Sequence, residues 1–248
     1  MSRAPFLLLT SRSEDHLSEH EAAGLKRLTR LADDEVVHIR MEQADFLPVP
    51  LDEVSGVILG GSPFTASDPT GQKSAAQLRV EAELTRLLQE MLERDVPYLG
   101  LCYGIGVTAL VAGGRVDRAF GEPVGPTTVT VTDAGRADPV FGRMPPSFLA
   151  FTGHKEACSE LPPGAVLLAT NDACPVQAYR LGTRQYVTQF HPELEPEHFI
   201  HRIRAYRHLG YSSEHTVEEL IERVGLVDVS EAHGVLRGFV REFGRPRR

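Results

Sequence analysis

Tyr98-Leu99-Gly100-Leu101-Cys102-Tyr103-Gly104-Ile105-Gly106 decides how this chain folds. Four residues suited to a buried strand run straight into a cysteine. Glycines stand two positions before it and two after, and an apolar helix signal follows to about residue 112. A nucleophile elbow needs this pattern. The chain turns sharply from strand to helix, the reactive residue takes a strained backbone conformation, and small neighbours let the chain pass close to itself. Cys102 then stands at a helix N-terminus, where the dipole favours a negatively charged sulfur. It also lies at the carboxyl end of a strand, where open α/β sheets bind their ligands.

Working outward, the segment before the elbow alternates strand and helix signals. Strands are expected over residues 6–9, 36–39 and 56–59, the last ending at Gly60-Gly61-Ser62-Pro63. Helices are expected over 18–31 and 74–94. In the second, Ala76, Val80, Leu84, Leu87, Leu88, Met91 and Leu92 recur at three- and four-residue steps. Such alternation implies a parallel sheet covered on both faces. After the elbow the pattern changes. Strands are expected over 127–132, 147–152, 166–170, 176–181 and 185–190, separated by breakers such as Pro162-Pro163-Gly164. The expected fold is therefore α/β, doubly wound and mostly parallel, with added antiparallel strands. A helix starts at Pro196, shows a stripe of Phe199, Ile200, Ile203 and Tyr206, and stops at Gly210. Two further amphipathic helices are expected to form an extension over 213–248, outside a main domain of 1–212.

The composition bounds the function. The chain has 248 residues, 42% hydrophobic and without Trp, enough for one large α/β domain with an aliphatic core. A net charge of -8 gives no bulk attraction to nucleic acid or an anionic membrane. Arg241, Arg245, Arg247 and Arg248 read as a solvated tail. No stretch approaches the ~20 apolar residues of a membrane span. The run Pro5-Phe6-Leu7-Leu8-Leu9 is shorter than a signal-peptide core, and Glu14 and Asp15 follow it. Cys102, Cys158 and Cys174 are odd in number and widely spaced, which fits reduced thiols and a cytoplasmic location. Cys158 and Cys174 lack an elbow and read as structural thiols.

A base for Cys102 must come from elsewhere in the chain. Gln189-Phe190-His191-Pro192-Glu193 closes a strand signal. Pro192 favours extended geometry at His191, so His191 and Glu193 face one site together. A carboxylate placed so can orient an imidazole that exchanges a proton with a thiol. Gly60-Gly61-Ser62-Pro63 can aim backbone N–H groups at an oxyanion, or it is a plain tight turn; no Walker lysine follows it. His198, His201 and His208 share one helix signal, but their spacing is loose and brings no acidic or thiolate partner. No metal or other cofactor is expected.

These motifs, with Gly56-Val57-Ile58-Leu59 before the glycine turn and Thr188-Gln189 before the histidine, resemble the class I glutamine amidotransferases, with the look of the amidotransferase domain of GMP synthases. The resemblance covers roughly residues 1–210. It implies a flavodoxin-like core and a triad of Cys102, His191 and Glu193. It implies attack on the side-chain amide of glutamine, a γ-glutamyl thioester, release of ammonia, and hydrolysis to glutamate. The implied oxyanion donors are the N–H groups of Ser62 and Tyr103. Substrate contacts are implied at Gly61, Gly106, Gly153 and Lys155. Three positions depart from the family pattern. Ser62 stands where Gly usually precedes the proline, Gly106 where Gln is usual, and Glu156 where Asp is usual. Gly106 is expected to leave the pocket more open and to remove one polar hold on free glutamine. A hydrolase of γ-glutamyl peptides or conjugates is therefore a second reading, and a catalytically idle binding or regulatory protein a third. The expected partners are the small-molecule substrate and an ammonia-accepting synthetase subunit.

Overall fold

Strand β1 (Phe6–Thr10) is buried along its whole length, as a continuous apolar run in a parallel sheet must be. Successive side chains of a strand point to opposite faces. Phe6 and Leu8 accordingly join one apolar cluster, and Leu7 and Leu9 join another. The computed structural model describes residues 3–43, 51–206 and 216–247.

After β1 the chain forms α1 (Asp15–Thr29), β2 (Val36–Arg40), β3 (Gly56–Leu59), α2 (Ala75–Glu93), β4 (Tyr98–Leu101) and α3 (Tyr103–Val111). Then come β5 (Arg115–Asp117), β6 (Glu122–Val131), α4 (Asp133–Arg136), β7 (Ser147–His154), β8 (Ala157–Glu160), β9 (Val166–Thr170), β10 (Ala178–Leu181) and β11 (Gln185–Thr188). Helices α5 (Pro196–Tyr206), α6 (Val217–Gly225) and α7 (Gly234–Phe243) end it. The main sheet has nine strands in the order β2-β1-β3-β4-β11-β10-β9-β6-β7, and β5 pairs separately with β8. From β2 to β11 the pairing is parallel; from β11 to β7 it is antiparallel. This is the expected doubly wound sheet with an antiparallel addition.

Local signals explain most boundaries. Ser74 caps α2 by accepting the Gln77 N–H at 3.1 Å, an interaction worth about 1 kcal/mol. The helix buries Val80, Leu84, Leu87, Leu88 and Met91, the stripe its periodicity predicts. Helix α1 begins three residues before the expected start. Gly210, expected to stop α5, lies outside the described residues, as does His208.

The C-terminal segment differs from expectation. Helices α6 and α7 form, but α7 does not lie outside the main fold. Val235, Leu236, Phe239 and Val240 are at most 3% exposed and belong to the same core as Phe6, Leu8 and Tyr186. The Phe6 and Phe239 rings sit 5.9 Å apart. An amphipathic pattern tells which face is buried and not what covers it; here it is one face of the sheet. The arginine-rich end is likewise tied down. Ala4 donates its N–H to Arg245 C=O at 2.9 Å, and the Arg245 N–H donates to Ser55 Oγ at 3.2 Å. Arg241 and Arg247 stay exposed. No helix among the described residues is long and apolar enough to cross a membrane.

Candidate active site

Cys102 has φ 51° and ψ -91°, a left-handed conformation rare outside glycine, between β4 and α3. Strain of this kind costs on the order of 1–3 kcal/mol and persists only where the surroundings enforce it. Here the Cys102 N–H donates to Thr188 C=O at 2.7 Å, which ties the elbow to β11. The flanking glycines are dictated by contact. A Cβ on Gly100 would lie 2.4 Å from Tyr98 Oη, and one on Gly104 would lie 3.2 Å from the same oxygen. The Tyr98 hydroxyl is held by Thr108 Oγ1 at 3.2 Å. Tyr103 opens α3, so its N–H has no intrahelical acceptor and points out of the helix start.

His191 follows β11, which neighbours β4. Its N–H donates to Phe151 C=O on β7 at 2.9 Å, fixing the segment across the antiparallel addition. Its Nδ1 lies 2.6 Å from Glu193 Oε1, and the ring lines the same cleft as Cys102. Burial opposes charge on this ring, but the Glu193 carboxylate and the Cys102 sulfur outweigh it and raise its pKa to about 9. Burial likewise opposes charge on Glu193, yet His191 and Arg202 hold it well below the usual carboxylate range.

Behind Glu193 runs a buried chain of charges that the sequence reading missed. Arg202 on α5 reaches Glu193 Oε1 at 3.1 Å and Glu21 Oε2 at 3.3 Å. Arg12 Nε donates to the same Glu21 oxygen at 2.9 Å, and its Nη1 to Tyr206 Oη at 3.2 Å. Arg12, Glu21, Arg202 and Glu193 are all at most 7% exposed. Two guanidinium groups and two carboxylates cancel, so a protonated His191 leaves one positive charge, which a Cys102 thiolate would neutralise. The glycine turn makes room for this chain. A Cβ on Gly60 would lie 2.1 Å from Glu21 Oε1, and one on Gly61 would lie 2.7 Å from His191 Cε1. Gly61 thus belongs to the packing around His191. Its neighbour Ser62 accepts the Phe64 N–H on Oγ at 3.1 Å.

Cys102 stands between two clefts. The smaller, about 340 Å³, is lined by Ser62, Phe64, Tyr103, Gly153, Lys155 and Glu156 among others. The larger, about 680 Å³, shares Ser62, Cys102 and Gly153 with it but is walled by His191, Val124, Phe199, Ile203, Val217 and Leu220. Gly153 and Lys155 thus meet Cys102 at the smaller cleft. Gly106 corrects the expectation of open space. It is buried in α3, and a Cβ there would lie 3.3 Å from Glu156 Oε1 and 3.6 Å from the Ala66 Cβ. Glu156 accepts the N–H groups of Ala66 and Ser67, both at 2.7 Å. The longer acid at 156 occupies the room that the missing side chain at 106 vacates.

Other titratable groups adjoin the site: His154 lines the smaller cleft, and His20 and His198 share a pocket with Glu21, Glu193 and Arg202. His154 bonds Glu122 Oε2 at 3.0 Å and Glu156 C=O at 2.8 Å, anchoring the Gly153–Glu156 loop to β6. Glu122, His154 and Cys174 are close enough to share an ion, but both Glu122 oxygens already accept hydrogen bonds, from Thr127, Asn171, His154 and Gln177. His198 and His201 of α5 pack against His20 of α1, one tilted and one edge-on, at ring distances of 5.5 and 5.2 Å. Burial pushes the Cys158 thiol up to about 11 and the Cys174 thiol to about 12, so neither ionises near neutrality.

Against this geometry the comparisons are specific. The family model for glutamine amidotransferase class-I matches residues 25–205. The glutamine-hydrolyzing GMP synthase subunit of Methanopyrus kandleri is 30% identical over 174 residues, covering 64% of this chain and 84% of the relative. The glutamine-hydrolyzing GMP synthase of Clostridium novyi is 35% identical over 111 residues, 44% of this chain, and the match spans only 21% of that relative's length. In fold, a glutamine amidotransferase from Thermotoga maritima superposes with a TM-score of 0.78 at 21% identity, over 97% of this chain and 98% of that one.

Proposed function

The chain belongs to the class I glutamine amidotransferase family, and on that premise we propose that it hydrolyses the side-chain amide of glutamine through a γ-glutamyl thioester on Cys102. The observation that carries this reading is the strained Cys102 sharing one cleft with His191, and Glu193 fixed 2.6 Å behind the imidazole. A reactive sulfur, a proton carrier and an orienting carboxylate are the parts that covalent amide hydrolysis needs.

The steps follow from the positions. The Cys102 sulfur attacks the amide carbon while His191 holds the thiol proton. Negative charge develops on the carbonyl oxygen, where the N–H groups of Ser62 and Tyr103 receive it. Glu193 stabilises the imidazolium and is itself held by Arg202. His191 then gives its proton to the leaving nitrogen, the C–N bond breaks, and ammonia departs. Water adds to the thioester with His191 as base, glutamate leaves, and the thiol is restored. The smaller cleft, with Gly153 and Lys155 on its wall, receives the amino-acid head of the substrate. The names of the curated relatives support a role in delivering ammonia to a partner synthetase. The test is turnover by the intact chain, scoring ammonia and glutamate together. Equal yields that vanish in Cys102→Ala are expected. Undiminished turnover in Cys102→Ala overturns the assignment.

A further inference from the structure

The larger cleft has no evident use if ammonia is the leaving group. Its position relative to the base shows which part of a substrate would enter it. The group that leaves must take its proton from His191, and His191 lines the larger cleft, whereas Tyr103, Lys155 and Glu156 line the smaller. The acyl side therefore occupies the polar cleft and the leaving nitrogen faces the apolar one. Ammonia is small and polar, while a wall of Val124, Phe199, Ile203, Val217 and Leu220 has the apolar character of a site for an organic group. Arg12 and Arg202 also line this cleft, but each is paired with a buried carboxylate, so neither asks for an anionic substituent. Val217 and Leu220 belong to α6, beyond residues 25–205 that the family model matches.

We propose that this cleft is a leaving-group subsite, and that the chain acts on γ-glutamyl amides whose nitrogen carries an apolar substituent. The proposal rests on the thioester chemistry given above and extends its substrate from glutamine to N-substituted amides. The step balances in the same way. The sulfur–carbon bond forms and the C–N bond breaks. The thiol proton, carried by His191, ends on the nitrogen of a primary amine RNH2. Water then splits the thioester to glutamate and free thiol, with no oxidant or reductant.

The experiment compares free glutamine with γ-glutamyl N-methyl, N-propyl and N-pentyl amides on the intact chain. Glutamate release gives kcat/KM, and mass gives the acyl-enzyme. Expected is a rise of about fourfold per methylene, the ratio for burying one such group. Val217→Asp, at the half-buried first turn of α6, and Leu220→Ala should each flatten that rise. Should Leu220→Ala fail to fold, the Val217→Asp series decides. If glutamine acylates Cys102 while the series is flat or falls, the subsite is overturned and glutamine hydrolysis stands; the apolar face then serves another occupant, such as a protein partner. A rise untouched by Val217→Asp also overturns it. If nothing acylates Cys102, the thioester reading falls and takes the subsite with it.

Discussion

The two clefts at Cys102 are built by different means. In the smaller one polar groups are already committed: the carboxylate of Glu156 is held by two backbone amides, and His154 anchors the loop that carries it. In the larger one the wall is aliphatic and aromatic and comes from α5, α6 and the start of β6. One cleft is a rigid polar mould, suited to one small head group. On our proposal the other, with its apolar wall, ranks its occupants by the apolar area they bury.

The largest expected effect comes at the centre that both clefts share. Glu193→Gln should keep the fold and lower kcat about 10- to 10⁴-fold, and His191→Ala by at least as much. The loss should be alike for every substrate, because the imidazole serves both steps. Steady-state kinetics check this. A Glu193→Gln enzyme with wild-type kcat would mean that another group orients His191.

Arg202→Met tests the charges behind the larger cleft. It leaves Glu21 and Glu193 without their shared counter-charge, and breaking a buried pair from one side costs about 3–5 kcal/mol. Urea unfolding should show that loss. Unchanged stability would mean that Arg12 alone compensates both acids.

A smaller effect is expected in the polar cleft. Gly106→Gln should push against Glu156 and cost about 1–3 kcal/mol by overpacking. Adding Glu156→Asp should return much of that stability in thermal unfolding, a coupling that independent sites would not show. If the restored amide also holds the substrate's head group, KM for free glutamine should fall about tenfold in the double variant. Simple additivity would separate positions 106 and 156.

How far these features could be read from sequence depends on the scale at which they form. Cys102 was legible because its glycines answer to a single turn. His191 and Glu193 were legible because Pro192 holds them in a short extended segment. The Arg12–Glu21–Arg202 chain was not, since its members lie after β1, on α1 and on α5 and meet only in the folded state. The departures at Gly106 and Glu156 were each visible, but their mutual fit was not, so open space was expected where Glu156 stands. Helix α7 showed its apolar face without showing the sheet it covers.

The smallest effect is in the pH profile of stability. The folded pKa of His191 is raised from 6.5 to about 9, so its contribution is complete below pH 6.5 and is lost as pH rises through about 9. Glu193 is depressed from 4.5, so its contribution is present above 4.5 and is lost as pH falls through its lower folded value. Together they contribute most between pH 4.5 and 6.5. The stability gap between wild type and His191→Ala should be widest in that window and shrink toward pH 9. A gap constant with pH would show that folding leaves the pKa of His191 unchanged.

The central claim is that the two clefts meet at a sulfur that becomes acylated. Rapid acid quench of the intact chain during turnover, followed by peptide mass analysis, measures this directly. One γ-glutamyl group on the peptide containing Cys102, absent from the Cys158 and Cys174 peptides and absent in Cys102→Ala, is the predicted result. Turnover with no acyl group on Cys102 at any quench time, or with the group on another residue, would contradict it.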